Sequence, residues 1–357
     1  MRTRAGGGRK PDQLSLFEAE PRVGLSAGAS DERRSVLPAD DPEAARLAQR
    51  LSLLAPLIRM GTSSWTFPGW ANLVYAGSPS AADLARGGLR AYAQHPLFRT
   101  VGIDRSYYAP LTAPQLAAYA ADLPEGFLAV SKVWEGLTTF AFPDHPRFGD
   151  RAAKENPRFL DPDEIRSTVI APYEAAFKAH AGPFVFEIAP IPSGRLPTVD
   201  RFTRAIERLL CALPRQFSYA FELRNRELLT PRYLDTLRAH GAAHVFNFWS
   251  RMPSIGAQLN TPGALSGPFV VARLMLPPGA SYETQKQAFA PFDRIVSAQA
   301  AMRRDIVVLA RACARAQKAL FILVNNKAEG SAPLTVRALA LDIANDLDFS
   351  TLPREKV

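Results

Sequence analysis

The residues of this chain with the most chemical promise are charged and amide side chains that finish short apolar runs. Asp104, Lys132, Glu187, Glu222 with Arg224, Asn247, Arg273, and Asn325 with Asn326 all stand at such ends, Trp65 closes another, and Tyr108 follows Asp104. A carboxylate beside a guanidinium stays ionised, so Glu222 and Arg224 suit a base or an anchor for a polar substrate. Lys132 and Arg273 add positive charge, and Asp104 and Glu187 add negative charge. Three cations, three carboxylates and two adjacent amides match an anionic ligand such as a phosphate or a nucleic-acid backbone, with Asn325 and Asn326 reading hydroxyls or base edges. Catalysis is expected of Glu222, Arg224, Lys132 and Asp104. Substrate contacts are expected of Trp65, Tyr108, Glu187, Asn247, Arg273, Asn325 and Asn326. The competing interpretation is a set of ion pairs that closes the top of a core.

Other chemistries find less support. His95, His145, His180 and His240 fall in loops or helices, His244 sits early in a strand, and neither HxH nor HExxH occurs. No metal site is therefore expected. A divalent ion on Asp104, Glu187 and Glu222 stays open, because oxygen-only sites leave little trace in sequence. The cofactor is unknown. No glycine-rich phosphate loop or dinucleotide motif is present, and Ser63, Ser64 and Ser131 have no evident histidine partner.

The elements that must position these residues alternate in type. Eight β-rich runs can be read: Ile58–Trp65, Phe98–Ser106, Gly126–Trp134, Pro183–Ala189, Phe217–Arg224, Ala242–Trp249, Phe269–Leu276 and Leu320–Asn326. Helical patterns separate and follow them at Ser80–Gln94, Ala113–Asp122, Pro162–His180, Thr198–Leu213, Thr230–His240, Phe292–Lys318 and Ala332–Asp346. Strict βα alternation with eight strands predicts a parallel α/β sheet closed into a TIM-type (β/α)8 barrel rather than an open doubly wound sheet. Such a barrel takes about 250 residues, so one domain accounts for most of the 357 present. Residues two apart share a face, which sets Ser218, Ala220, Glu222 and Arg224 along the interior. All the polar strand ends then meet on one rim, where barrels of this kind carry their sites.

Three connections on that rim are long: Glu135–Asp161, Ser250–Pro268 and Pro277–Pro291. The first interleaves Phe140, Phe142, Phe148 and Phe159 with His145, Arg147, Arg151, Lys154 and Arg158, a composition suited to stacking bases between phosphates. Glu135, Asp144, Asp150 and Glu155 offset its charge, so simple packing over the barrel is the alternative. Arg304, Arg311, Arg315 and Lys318 share one helix face and read as solvated surface.

Residues 1–40 are polar and lack periodicity, and are expected to be a disordered tail. Asp41-Pro42-Glu43 opens a short helix and linker over 41–55, with Leu47, Leu51 and Leu54 at helical spacing; the barrel is assigned to 56–346 and a second tail to 347–357. Cys211 and Cys313 sit in helical stretches and are expected to be free thiols in a reducing compartment, hence the cytoplasm. No secretory pattern or bilayer-length apolar run occurs, so no membrane partner is expected. The formal charge of +9 weights nucleic acid only slightly.

The segments GTSSWTFPGW at 61–70, GIDRSYY at 102–108, LAVSKVW at 128–134, FEIAP at 186–190, FELRN at 221–225, ARL at 272–274 and LVNNKAEGSAP at 323–333 together resemble the YecE-like family, a domain of unknown function numbered seventy-two. The resemblance covers about residues 56–345 and implies a TIM-type barrel, while implying no reaction. Two departures stand out. Many members carry a glutamate where this chain has Gly102, and many carry histidine and glycine after the arginine of strand seven, where this chain has Leu274-Met275.

In the tail, Gln13, Leu14, Ser15, Leu16 and Phe17 resemble the bacterial sliding-clamp-binding peptide. Leu14, Leu16 and Phe17 offer apolar anchors for a groove and Gln13 a hydrogen bond at its entrance. Two functions follow as expectations. One is a hydrolase, of phosphodiesterase or nuclease type, that acts on nucleic acid or another phosphorylated substrate and is recruited to DNA through the clamp. The other is a nucleic-acid-binding module without activity, tethered in the same way. The rim carboxylates favour the first, since a pure backbone binder has little use for them.

Overall fold

The computed structural model describes residues 36–54 and 56–346. Eight strands form, one in each expected run: β1 (Ile58–Thr62), β2 (Thr100–Ile103), β3 (Leu128–Lys132), β4 (Ala181–Glu187), β5 (Tyr219–Glu222), β6 (Ala243–Phe248), β7 (Val270–Leu274) and β8 (Leu320–Val324). Every ladder is parallel and the order is β1-β8-β7-β6-β5-β4-β3-β2. Helices between the strands cover the outside, as right-handed βα connections require.

Side chains alternate between lumen and helix layer. Val130, Val185, Ala220, Val245, Val271 and Leu323 pack together inside the barrel, whereas Phe184, Phe186, Phe221, Phe246 and Ile322 join the larger core between sheet and helices. The residues two positions further along are Lys132, Glu187, Glu222, Asn247, Arg273 and Asn325. The two-residue period therefore lifts a polar layer directly onto an apolar plug.

The ring closes differently between β1 and β2. No ladder joins them among the described residues; instead Arg99 donates its backbone N–H to Met60 O at 2.9 Å. The buried hydroxyl of Tyr92, from helix α2 (Ala81–Ala93), accepts from Thr62 N at 2.8 Å and donates to Thr100 O at 3.2 Å. The backbones approach so closely that a Cβ on Gly61 would stand 1.9 Å from Thr100 O.

Helix α1 (Pro42–Arg50) forms as its cap predicts: Asp41 Oδ1 accepts from Ala44 N at 2.9 Å, and Leu47, Leu51 and Leu54 are buried. The expected tail boundary at residue 40 needs correction. Val36 to Ala39 already belong to the fold, with Ala39 N bonded to Val74 O and Ala76 N to Leu37 O, each at 2.9 Å. Two helices also differ from expectation. The segment expected at 292–318 becomes helical only over Ala300–Arg315, and that expected at 162–180 is interrupted by a π turn at Arg166–Ile170. The three long connections contain the short helices Glu135–Thr138, Ile255–Leu259 and Tyr282–Phe289. No described helix is long and apolar enough to cross a membrane. Residues 13–17 and 347–357 lie outside the described residues.

Candidate functional site

The polar layer converges into one ion network at the barrel mouth. Glu187, at the end of β4, accepts from Lys132 Nζ at 2.9 Å, Arg224 Nη2 at 2.9 Å and Arg273 Nη1 at 2.8 Å. Glu222, its neighbour on β5, accepts from Arg224 Nη2 at 2.7 Å, from Asn247 Nδ2 at 3.4 Å, and from Arg273 Nη1. Asp104 starts the turn after β2 and faces Arg273 Nη2 with both oxygens at 3.3 Å. The network thus joins residues from β3, β4, β5, β6 and β7 with the ends of β2 and β5, which only a closed ring of strands brings together. Sequence spacing placed Glu222 and Arg224 on one face, and they are in contact.

Burial grades the members. The side chain of Glu222 is 0% exposed, Arg273 1%, Arg224 2%, Glu187 5% and Lys132 9%, while Asp104 is 23% exposed. Burial alone pushes the Glu187 carboxyl up, but Arg224, Lys132 and Arg273 more than offset it and hold it well below the usual carboxylate range. Burial pulls the Arg273 guanidinium down, and Glu222, Asp104 and Glu187 reverse that, so it stays charged. Glu222 has both oxygens engaged and no contact with solvent, so it is an anchor for the cations rather than a group open to a substrate.

Two aromatic residues that the sequence reading did not single out complete the mouth. Lys132 Nζ lies 3.8 Å from the ring centroid of Tyr107, and the Arg224 guanidinium lies 3.9 Å from that of Trp249. Trp249 follows Asn247 by two residues and so shares its side of the strand end; that offset was the available signal. Several donors here lack acceptors among the described residues: Arg224 Nε and Nη1, Arg273 Nε and Trp249 Nε1, all buried. The Oδ1 of Asn247 is also unpartnered, although its Nδ2 donates to Leu223 O at 2.7 Å.

The remaining expected contacts are dispersed. Trp65 is buried against Tyr119, ring centroids 5.3 Å apart, on the helix side of the sheet rather than in the network. Asn326 Oδ1 accepts from Trp70 Nε1 at 3.1 Å and Ala332 N at 2.8 Å, which ties β8 to the helix after it. Asn325 accepts from Lys327 N at 3.0 Å. Tyr108 is half-buried with its ring edge against Tyr107. In the first long connection, Phe140, Phe142 and Phe159 are buried, so these rings pack the loop onto the barrel and do not present a stacking surface. Arg158 and Arg201 pair there with Glu164 and Glu155. Arg304 and Arg315 are exposed and Arg311 pairs with Asp346, in keeping with a solvated helix face. Among the described residues, no group of three or more His, Cys, Asp and Glu side chains is placed to hold a metal ion. Asp104, Glu187 and Glu222 each face a cation instead.

The protein family described as a protein of unknown function, DUF72, matches residues 59–356. The chain belongs to the DUF72 family. A DUF72 family protein of Enterococcus faecalis is 17% identical, with a TM-score of 0.53 over 84% of this chain and 100% of that one. One from Thermotoga maritima is 17% identical, with a TM-score of 0.53 over 81% of this chain and 98% of its own. At these identities the likeness shows a shared fold. No curated protein matches the chain. The family match begins at Arg59, so helix α1 precedes it. Gly102 in this DUF72 chain has a steric reason: a Cβ there would stand 2.9 Å from Ser63 Cα and O, because the backbone just past β1 fills that space. After β7, Met275 and Leu276 both donate backbone N–H groups to Phe248 O, so the strand end is anchored without a histidine.

Proposed function

We propose that the barrel mouth binds a phosphorylated substrate and hydrolyses it, with Arg224 and Lys132 receiving the anion. Arg224 carries the proposal: its guanidinium is buried on Trp249, yet among the described residues Nε and Nη1 have no acceptor, and neither has Trp249 Nε1. A buried unpartnered donor costs about 1–3 kcal/mol, and more when charged, so an arriving oxyanion relieves a standing penalty. Arg273 holds the arrangement together, and Glu222 and Glu187 fix the cations. Proton transfer falls to Asp104, the rim carboxylate with a side open to solvent.

Nucleic acid is one such substrate, and Gln13, Leu14, Leu16 and Phe17 would deliver the protein to it through a sliding clamp, on the strength of their resemblance to the clamp-binding peptide. A module that only grips backbone phosphates fits less well. Such modules expose unpaired cations along a groove, whereas Lys132, Arg224 and Arg273 are buried and matched by as many carboxylates.

Assaying phosphomonoesters and short oligonucleotides tests the proposal. Turnover should fall about a hundredfold in Arg224→Lys while the fold is kept, and change little with salt. Turnover indifferent to Arg224, or none on any phosphorylated substrate, overturns hydrolysis here, and binding that collapses as salt rises would favour the backbone module. Purified clamp should bind wild type but not the Leu16→Ala, Phe17→Ala variant; equal binding, or none by either, removes the tether.

A further inference from the structure

We propose that the group taken by the mouth is a terminal phosphate, and that it displaces Asp104 from Arg273. This rests on the reading of the mouth as an anion site, and adds how the site admits its ligand and which phosphates it accepts.

Charge balance requires a displacement. Lys132, Arg224 and Arg273 face Asp104, Glu187 and Glu222, so these six side chains carry no net charge among themselves before any ligand arrives. An anion added to a neutral buried cluster leaves excess negative charge where water screens it poorly. If one carboxylate yields its place, three cations face two carboxylates, and the single positive charge left over matches a singly charged phosphate, any second charge remaining with solvent at the rim. Glu187 and Glu222 end strands inside the ladder, in register with one another, and contact cations at 2.9 Å or less. Asp104 differs on every count. It lies beyond the end of β2, its two contacts with Arg273 are the longest ion-pair distances in the network at 3.3 Å, and its side chain is 23% exposed. Water can solvate Asp104 once it swings away, whereas a released Glu222 would remain buried. Asp104 thus stands where a ligand oxygen would sit, keeping Arg273 paired until the anion comes.

The same burial restricts the ligand. Arg224 and Arg273 are 2% and 1% exposed, so the anionic group must pass the rim to reach them. A terminal phosphate is attached through one oxygen and advances three others. An internal phosphodiester is flanked by sugar on both sides and offers two, so it meets the rim before its oxygens reach Arg224.

Isothermal titration of the full chain provides the test, using inorganic phosphate and two oligonucleotides of one sequence, with and without a 5′-phosphate. Asp104→Asn keeps the shape and removes the competing charge, so inorganic phosphate should bind about tenfold tighter than to wild type. Asp104→Ala should do the same, which separates lost charge from any hydrogen bond made by the new amide. On wild type, the 5′-phosphorylated strand should bind at least about tenfold tighter than its unphosphorylated twin, as one additional charge-assisted hydrogen bond would give. Unchanged or weaker phosphate binding in both Asp104 variants, with native melting curves, overturns displacement. Equal binding of the two strands overturns the terminal-phosphate specificity while leaving the anion site standing. Failure of wild type to bind any of the three ligands removes the anion site and this inference with it.

Discussion

Arg273 sits at the centre of the mouth, and its neighbours differ in how firmly they are held. Glu222 is locked, Glu187 is kept ionised by three cations, and Asp104 retains a solvent-facing side, which is why proton transfer is assigned to the last of these and not to Glu222. The pairing of Glu222 with Arg224 was legible from two-residue spacing alone. Their contacts with Glu187 and Arg273 were not, because those partners lie far along the chain and meet only when the ring closes. Asn326 has a role that its strand-end position did not reveal: its Oδ1 holds Trp70 and the start of the next helix.

Histidine supplies a separate prediction at this scale. Burial pulls both His95 and His244 down to about 4, with Asp41 partly opposing the effect at His95 and Gln258 at His244. In the unfolded chain each titrates near the ordinary histidine value of 6.5. Below that pH the unfolded chain takes up protons that the folded protein refuses until about 4. Their contribution is therefore complete above neutral pH and lost as pH falls through that window, at about 2 kcal/mol per histidine by pH 5. Urea denaturation at pH 7.5 and pH 5 should show the loss, and His244→Gln should reduce it by about one histidine's share; an undiminished pH dependence in that variant contradicts the assignment.

At the scale of elements, the closure of the ring is the least regular feature and the most testable. The Tyr92 hydroxyl links a buried N–H of β1 to a buried carbonyl of β2. Tyr92→Phe leaves both without that partner and should cost about 1–3 kcal/mol by chemical denaturation. A loss below a few tenths would mean that the strands pair directly when the hydroxyl is absent. All eight strands were legible because apolar runs of the right length alternate with helical patterns. Their ends were not, since a run such as Ile58–Trp65 continues past Thr62, where the chain leaves the ladder. The short helices of the long connections escaped notice because four to eight residues give too little periodicity to read.

Taken whole, the molecule separates its net charge from its site. The formal excess of nine positive charges does not reside in the ion network, where three cations meet three carboxylates, so basicity alone says little about the ligand. The chain joins the barrel at Val36–Ala39, beside residues 74–76 of the loop that follows β1, and hence at the mouth end.

The most direct measurement is a crystal structure of the protein grown with a phosphomonoester. Phosphate oxygens are expected at about 2.7–2.9 Å from the unpartnered nitrogens of Arg224, with Asp104 turned away from Arg273. Ordered water in contact with Arg224, with the phosphate absent or bound elsewhere on the surface, would contradict the assignment of the mouth as an anion site.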